Sequence, residues 1–175
     1  MPSSYWNNIF EKNGKHQINL DYVLKKVPFF SQLKKSELLE FKRIFHHRYF
    51  NKGEIIFYEG EPGVGMYVIE NGKIGIYKNF DDNSKEELAI LQSGEFFGEM
   101  ALLDESARSA TAVALENTSV LGLFRHDLFN LINRKPKLGN KILLKLAQML
   151  AERLRLSNDE LQEVKQLYEN SVIIR

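Results

Sequence analysis

The sequence predicts an α+β protein: an antiparallel, eight-stranded β-roll of the jelly-roll type, flanked by N-terminal helices and a long C-terminal helix. First, eight of the 11 glycines lie between residues 53 and 98, which makes the middle of the chain rich in turns. Second, apolar residues between 48 and 124 alternate or form short runs bounded by turn residues, as antiparallel strands do. Third, no glycine follows Gly139, and the apolar residues there keep helical spacing.

Composition narrows the function classes. Lys and Arg total 24 against 23 Asp and Glu, a net charge of +1 that argues against a dedicated nucleic-acid-binding protein. The absence of Cys excludes disulfides, thiolate metal sites and thiol catalysis. The N-terminus lacks the features of a signal peptide, and no apolar run approaches the roughly 18 residues that span a bilayer. We therefore expect a cytoplasmic protein without a membrane partner.

The 175 residues fit one domain with helical arms, which we divide into three parts. Residues 1–30 are expected to form an N-terminal helical segment, 31–135 the β-roll, and 136–175 the long C-terminal helix. Within the first part, the apolar residues that indicate amphipathic helices are Trp6, Ile9, Phe10, Leu20, Val23, Leu24 and Val27. Two short helices are predicted beside the roll, at 36–45 and at 126–133, the latter ending before Pro136.

The strands of the roll are predicted from short β-rich runs, which lie at 55–58, 66–69, 74–77, 88–91, 110–114 and 120–124. Asn71 and Gly72 stand between the second and third of these runs. Both residues tolerate positive φ, so the pair predicts a tight hairpin.

The segment from Gly94 to Ala114 carries the candidate chemistry. A short strand is expected to end at Gly98 and a single helical turn to begin at Glu99, whose free N–H groups can bind an anion. Arg108 follows at the start of a strand of small side chains, which leave room beside it. One guanidinium with such a turn suits a phosphate that carries one negative charge.

The carboxylate of Glu99 would repel that phosphate. Its presence is explained if it accepts a hydrogen bond from a neutral hydroxyl of the same ligand, such as a ribose 2′-hydroxyl. A cyclic nucleotide has both groups. Alternatively, Glu99 only stabilises its helical turn through the helix dipole, and Arg108 pairs with Glu99 or Asp104. The residues alone leave both interpretations open.

Two stretches resemble the phosphate-binding cassette of the cyclic nucleotide-binding domain family: Phe97-Gly98-Glu99-Met100-Ala101-Leu102 and Arg108-Ser109-Ala110-Thr111. The family includes bacterial transcription regulators and protein kinase regulatory subunits. The similarity extends over residues 24–158, including turns at 52–54, 59–63 and 72. It departs from the family at Ala107, where many members have Pro, and at Val64, where a polar residue is common.

The resemblance implies roles for individual residues. Arg108 would hold the phosphate oxygens and Glu99 the ribose 2′-hydroxyl, while the backbone of Gly98 and Ala101 closes the pocket. The Ser109 hydroxyl or N–H would add a phosphate contact. The remaining members of the implied site are Met100 and Ala110 beside the phosphate, and Leu88, Arg153, Ser157 and Asn158 near the base.

The last helix carries an apolar seam, in which residues recur at alternating spacings of four and three. Its members are Leu143, Ala147, Leu150, Leu154, Ser157, Leu161, Val164 and Tyr168. This heptad pattern predicts a parallel homodimer through residues 143–168. Two different interpretations remain: the seam packs on its own domain, or Ser157 and Glu160 form a capping box at which the long helix breaks.

On this interpretation the chain is a non-enzymatic sensor of cyclic AMP, favoured over cyclic GMP, and needs no cofactor or metal. Its four histidines, at positions 16, 46, 47 and 126, do not suggest a shared metal site; a haem sensor using one of them is an alternative. Too few residues follow Ser157 for a DNA-binding module, so the output would be an unknown effector protein or self-association. The same residues are also compatible with a sensor fragment of a transcription regulator and with a ligand-free scaffold that keeps the fold.

Overall fold

The computed structural model describes residues 20–28, 30–80 and 84–173. In chain order the elements are α1 (Leu20–Lys26), α2 (Lys35–Lys42), β1 (Phe45–Phe50), β2 (Ile55–Phe57), β3 (Gly65–Asn71), β4 (Lys73–Lys78), β5 (Glu86–Gln92), β6 (Phe96–Phe97), a 3₁₀ turn (Glu99–Leu102), β7 (Thr111–Ala114), β8 (Thr118–Phe124), α3 (Arg125–Arg134) and α4 (Pro136–Ile173). Eight strands flanked by helices confirm the predicted α+β β-roll.

The strands form two four-stranded antiparallel sheets, in the orders β1-β8-β3-β6 and β2-β7-β4-β5. An apolar cluster from both sheets fills the space between them, and its buried members are Ile69, Ile74, Phe97, Ala112, Ala114 and Val120. The other face of the first sheet packs against the helices through a larger cluster that includes Met66, Val68, Leu121 and Leu123. The helical layer is thereby fixed to one sheet of the roll.

The hairpin predicted at Asn71 and Gly72 is wrong. β3 pairs with β6 and β8, whereas β4 pairs with β5 and β7, so the turn carries the chain from one sheet to the other. Gly72 alone separates the two strands, with φ of +105°, and a Cβ there would overlap the side chain of Thr118. The sharp single-residue corner leaves no room for the two-residue turn of a hairpin.

The helices differ from the sequence prediction mainly at their ends. The helix expected at 36–45 ends at Lys42, because Phe45 already pairs with Leu123 at the start of β1. α3 ends at Arg134, before Pro136 as predicted. In the N-terminal segment Leu20, Val23, Leu24 and Val27 pack into the helical cluster, and Trp6, Ile9 and Phe10 lie outside the described residues.

α4 is one continuous helix through Ser157, so the alternative of a break at a capping box, which the sequence left open, is not the observed arrangement. Its first turns bury Leu138, Ile142 and Leu146 against the domain. From residue 151 to 170 every position is exposed, and beyond Arg153, which still contacts Glu99, the helix extends past the roll. A search of the described residues for a helix that could span a lipid bilayer finds none.

Candidate functional site

A cavity of about 340 Å³ lies between the 3₁₀ turn, the second sheet and α4. Its volume is at the lower end of the range typical of small-molecule sites. One wall is apolar and comes mainly from strand residues, namely Phe57, Ile76, Ala89, Leu91 and Phe96. The lining also includes three charged groups, those of Glu99, Arg108 and Arg153. The cavity can therefore accept a molecule that has both apolar and charged parts.

The 3₁₀ turn begins where the sequence predicts, directly after the short strand β6. Gly98 precedes it with φ of +73°, in the left-handed region that favours glycine. A Cβ at Gly98 would lie 2.5 Å from Nη1 of Arg108. Glycine therefore gives the chain its turn and leaves room for the guanidinium.

Arg108 is a buried cation, with 7% of its surface exposed. Its Nη1 donates to the carbonyl oxygen of Gly98 at 3.1 Å, and its buried Nε has no hydrogen-bond partner among the described residues. Burial lowers the pKa of the Arg108 guanidinium, with nearby Tyr67, Glu61 and Glu99 opposing the shift. Arginine remains charged despite such a shift, so the cavity holds a cation with an unused donor.

The backbone of Arg108 is fixed from behind by the loop between β2 and β3. Its N–H donates to the carbonyl oxygen of Glu61 at 2.8 Å, and its own carbonyl accepts from the N–H of Gly60 at 2.9 Å. These two bonds hold the residue against the roll while the side chain lines the cavity. The guanidinium therefore sits on a rigid support.

Glu99 is buried, with 5% of its surface exposed, and its Oε1 accepts a hydrogen bond from Nη1 of Arg153. Arg153 belongs to α4, and its guanidinium lies over the ring of Phe96, 5.0 Å from the centroid. Asp104 instead accepts a hydrogen bond from the Ser106 hydroxyl at 2.7 Å. The pairing of Arg108 with Glu99 or Asp104, which the sequence left open, is therefore not the observed arrangement.

Most of the residues singled out from the sequence line this one cavity: Gly98, Glu99, Met100, Ala101, Arg108, Ser109, Ala110 and Arg153. Leu88 does not line it and is 49% exposed. Successive side chains of a strand point to opposite faces, and on β5 it is Ala89 and Leu91 that face the cavity. Ser157 and Asn158 lie at least one helical turn beyond Arg153 and are exposed, outside the cavity lining.

Sequence reasoning missed the apolar wall. Ala89 and Leu91 alternate along a predicted strand, and that alternation is the signal that could have identified them as a pair sharing one face. Phe57 and Ile76 lie on strands of the second sheet whose inward faces depend on sheet order, which no local pattern reveals. The pairing of Glu99 with Arg153 joins residues 54 positions apart and has no sequence signal.

No group of three or more His, Asp or Glu side chains in the part of the chain that the structure describes is arranged to hold a metal ion.

Comparison with known proteins gives a consistent result. The sequence model of the cyclic nucleotide-binding domain matches residues 47–135. The cyclic AMP receptor protein of Thermus thermophilus is 40% identical over 138 residues, which cover 79% of this chain and 62% of that protein. A putative potassium channel protein of Rhodopseudomonas palustris is 35% identical over 120 residues, covering 69% of this chain. The chain thus spans 62% and 29% of the lengths of these two relatives.

Solved structures show the same architecture. The N-terminal domain of a transcriptional regulator from Streptomyces coelicolor superposes with a TM-score of 0.69 at 30% identity, covering 79% of this chain and 94% of that one. The catabolite activator protein of Thermus thermophilus superposes with a TM-score of 0.71 at 39% identity, covering 79% of this chain and 63% of that one.

Proposed function

Because the chain belongs to the cyclic nucleotide-binding domain family, we propose that it binds cyclic AMP in this cavity and transmits occupancy through α4. The observation that carries the proposal is the buried guanidinium of Arg108, whose Nε lacks a partner among the described residues. A buried charge without a counterion is costly, and an anionic ligand is the group that would satisfy it. The proposed role is binding, with no catalytic step.

The charges of the cavity favour a phosphodiester. Arg108 supplies one cation, which matches the single negative charge of a cyclic phosphate. A 5′-monophosphate carries a second charge at neutral pH, and that charge would face the carboxylate of Glu99. The hydroxyl of Ser109, which also lines the cavity, can donate to a phosphate oxygen.

Glu99 gives the proposed ligand its connection to α4. A carboxylate has two oxygens, so one can keep the hydrogen bond from Arg153 while the other accepts from a ribose 2′-hydroxyl. The phosphate on Arg108 and the hydroxyl on Glu99 would then fix the sugar between the 3₁₀ turn and the helix. A ligand held in this way binds more tightly to the arrangement in which Arg153 contacts Glu99 than to one in which the two residues are apart. This difference in affinity is what shifts the position of α4.

The apolar wall favours adenine over guanine. Ile76, Ala89 and Leu91 offer no side-chain hydrogen bond. Guanine carries both a carbonyl and an amino group on its six-membered ring, whereas adenine carries only an amino group, so guanine loses more hydrogen bonds to water against this wall. The relatives include both a cyclic AMP receptor protein and, at 30% identity over 108 residues, the human cGMP-dependent protein kinase 2. We therefore propose cyclic AMP as the preferred ligand and cyclic GMP as the weaker one.

The exposed part of α4 supports a parallel homodimer as the output. Leu154 and Leu161 of the apolar seam are exposed, and the seam lies about 100° around the helix from Ile142, which packs on the domain. In a parallel coiled coil with these leucines at a positions, Glu160 of one copy faces Lys165 of the other. A second copy of this chain is therefore the partner that fits this face.

The proposal is tested by isothermal titration of cyclic AMP and cyclic GMP into the wild type and Arg108→Gln. We expect cyclic AMP to bind more tightly than cyclic GMP, and Arg108→Gln to weaken binding at least about 100-fold, as expected when a buried charge loses its partner. Arg125→Gln is the matched control, because Arg125 pairs with the exposed Glu105 outside the cavity. Equal binding by wild type and Arg108→Gln would refute the role of Arg108 in this site. No binding by the wild type at millimolar nucleotide would refute the proposal and favour a ligand-free scaffold.

A further inference from the structure

The guanidinium of Arg108 rests on an aromatic surface. Its Cζ lies 4.1 Å from the ring centroid of Phe57. Phe57 packs in turn against Phe97 at 5.8 Å and Tyr67 at 6.2 Å between centroids, and Tyr67 and Phe97 stack at 5.4 Å. We call these three rings the aromatic platform. The platform is continuous, so the ring below Arg108 is itself held in place.

A local irregularity brings Phe57 into the platform. The pairing of β2 with β7 shifts register between Ile55, opposite Val113, and Phe57, opposite Ala112. Such a bulge inserts one residue and re-aims the side chain that follows. Tyr67 and Phe97 come from the other sheet, where they are direct cross-strand partners. The platform therefore spans both sheets of the roll and is fixed by the fold.

An aromatic support differs from a carboxylate in its consequence for an incoming anion. The face of a ring attracts a cation through its quadrupole and carries no net charge. The ring therefore compensates part of the free-energy cost of desolvating Arg108. It does so without occupying the N–H groups of the guanidinium, which lie at the edge of the guanidinium plane. A carboxylate in the same place would neutralise the cation and compete with a phosphate.

We propose that Phe57 is a positioning residue, which holds the Arg108 guanidinium flat beside the cavity and leaves the N–H groups at its edge for the phosphate. The inference rests on the proposed function, because it assigns a role in recognising the phosphate of that ligand. Phe57 also lines the cavity, and a direct contact between its ring and the ligand is the competing explanation.

Binding of cyclic AMP is measured by isothermal titration with Phe57→Leu, which removes the ring, and Phe57→Tyr, which keeps it. We expect Phe57→Leu to bind about tenfold more weakly, equivalent to about 1.4 kcal/mol. Phe57→Tyr should stay within about twofold of the wild type, since tyrosine presents the same ring face. Phe129→Leu is the matched control, because Phe129 lies under Arg125, with 5.5 Å between Cζ and the ring centroid, away from the cavity.

A second measurement reports on Arg108 itself. In a ¹H–¹⁵N spectrum, the Nε–H of Arg108, assigned by its loss in Arg108→Gln, should exchange slowly with water, because the buried Nε is held in place. With no nucleotide added, Phe57→Tyr should keep this exchange slow and Phe57→Leu should make it faster. A role of Phe57 that does not involve the guanidinium would leave the exchange rate unchanged.

The two measurements separate the outcomes. Weaker binding by Phe57→Leu together with faster exchange of the Arg108 Nε–H supports the positioning role. Weaker binding with an unchanged exchange rate assigns Phe57 to direct ligand contact, and faster exchange with unchanged binding shows that the platform does not serve recognition. Either of these two results overturns the inference. If the wild type binds no cyclic nucleotide, the proposed function fails and the inference fails with it. If the wild type binds and the Phe57 variants contradict the positioning role, only the inference fails.

Discussion

Arg153 on α4 donates a hydrogen bond to the buried carboxylate of Glu99 at the start of the 3₁₀ turn. This contact joins the long helix to the residue that the proposed ligand would use for its ribose. The guanidinium of Arg153 also lies over the ring of Phe96 and lines the cavity. A nucleotide bound in the cavity would therefore contact α4 at Arg153.

Replacing Arg153 by Gln should weaken cyclic AMP binding about fivefold, because a half-exposed ion pair contributes about 1 kcal/mol. Arg155→Gln is the matched control. Arg155 lies about 160° around the helix from Arg153 and should leave the dissociation constant unchanged. Isothermal titration gives both values. Equal effects of the two substitutions would mean that Arg153 acts only through the general charge of the helix.

The cavity should discriminate between nucleotides by charge. A 5′-monophosphate brings a second negative charge near Glu99, and like charges in contact cost several kcal/mol. We therefore expect 5′-AMP to bind at least about 100-fold more weakly than cyclic AMP at neutral pH. Competition titration against a fluorescent cyclic AMP analogue measures the ratio. Comparable affinities for the two nucleotides would contradict the assignment of Arg108 and Glu99 to phosphate and ribose.

Dimerisation through the apolar seam is tested by two neighbouring leucines of α4. Leu154 belongs to the seam and is 63% exposed, whereas Leu156 is 58% exposed and lies off it. Leu154→Asp should convert a dimer to a monomer, because it places a charge at an a position of the coiled coil. Leu156→Asp should leave the mass unchanged. Sedimentation velocity distinguishes the species, and a wild-type monomer at all accessible concentrations would refute the dimer.

The attachment of α4 to the domain should depend on pH. The hydrogen bond from Lys141 Nζ, 2.8 Å from Oε2 of Glu37, lowers the pKa of that carboxyl below its ordinary 4.5. The folded protein therefore holds the proton less tightly than the unfolded chain. The pair stabilises the fold above pH 4.5, and its contribution is lost as the pH falls through the lowered folded pKa.

Glu37→Gln should accordingly reduce the free energy of unfolding by about 0.5–1 kcal/mol at pH 7, a value discounted for the partial exposure of the pair. Gln keeps an acceptor for the N–H of Lys34, which bonds Glu37 at 2.7 Å. The difference in free energy of unfolding between variant and wild type, measured by urea unfolding, should become smaller below pH 4.5. Glu105→Gln, at the exposed pair with Arg125, provides the control. A difference that does not change with pH would rule out the ion pair as its cause.

The sequence could predict most of the strands, the turn at Glu99 and most of the polar residues that line the cavity, since these depend on local spacing or on short motifs. It could not predict β1, whose first residue, Phe45, was expected to end a helix. It could not predict the corner at Gly72, because an Asn-Gly pair suits a hairpin as well as a change of sheet. The placement of Leu88 outside the cavity depends on which face of β5 is buried, and that face is set by the strands beside it. The pairing of Glu99 with Arg153 depends on the path of α4 across the roll, which is a tertiary relationship.

Transmission of ligand occupancy to α4 is tested most directly by hydrogen–deuterium exchange of the α4 segment 147–160, with and without saturating cyclic AMP, in the wild type and Arg153→Gln. We predict that cyclic AMP slows exchange in this segment of the wild type, because the ligand strengthens the contact between the helix and the 3₁₀ turn. In Arg153→Gln, at cyclic AMP concentrations that saturate the variant, most of this protection should disappear. Equal protection in both proteins, or none in a wild type saturated with cyclic AMP, would contradict a sensor that works through Glu99 and Arg153.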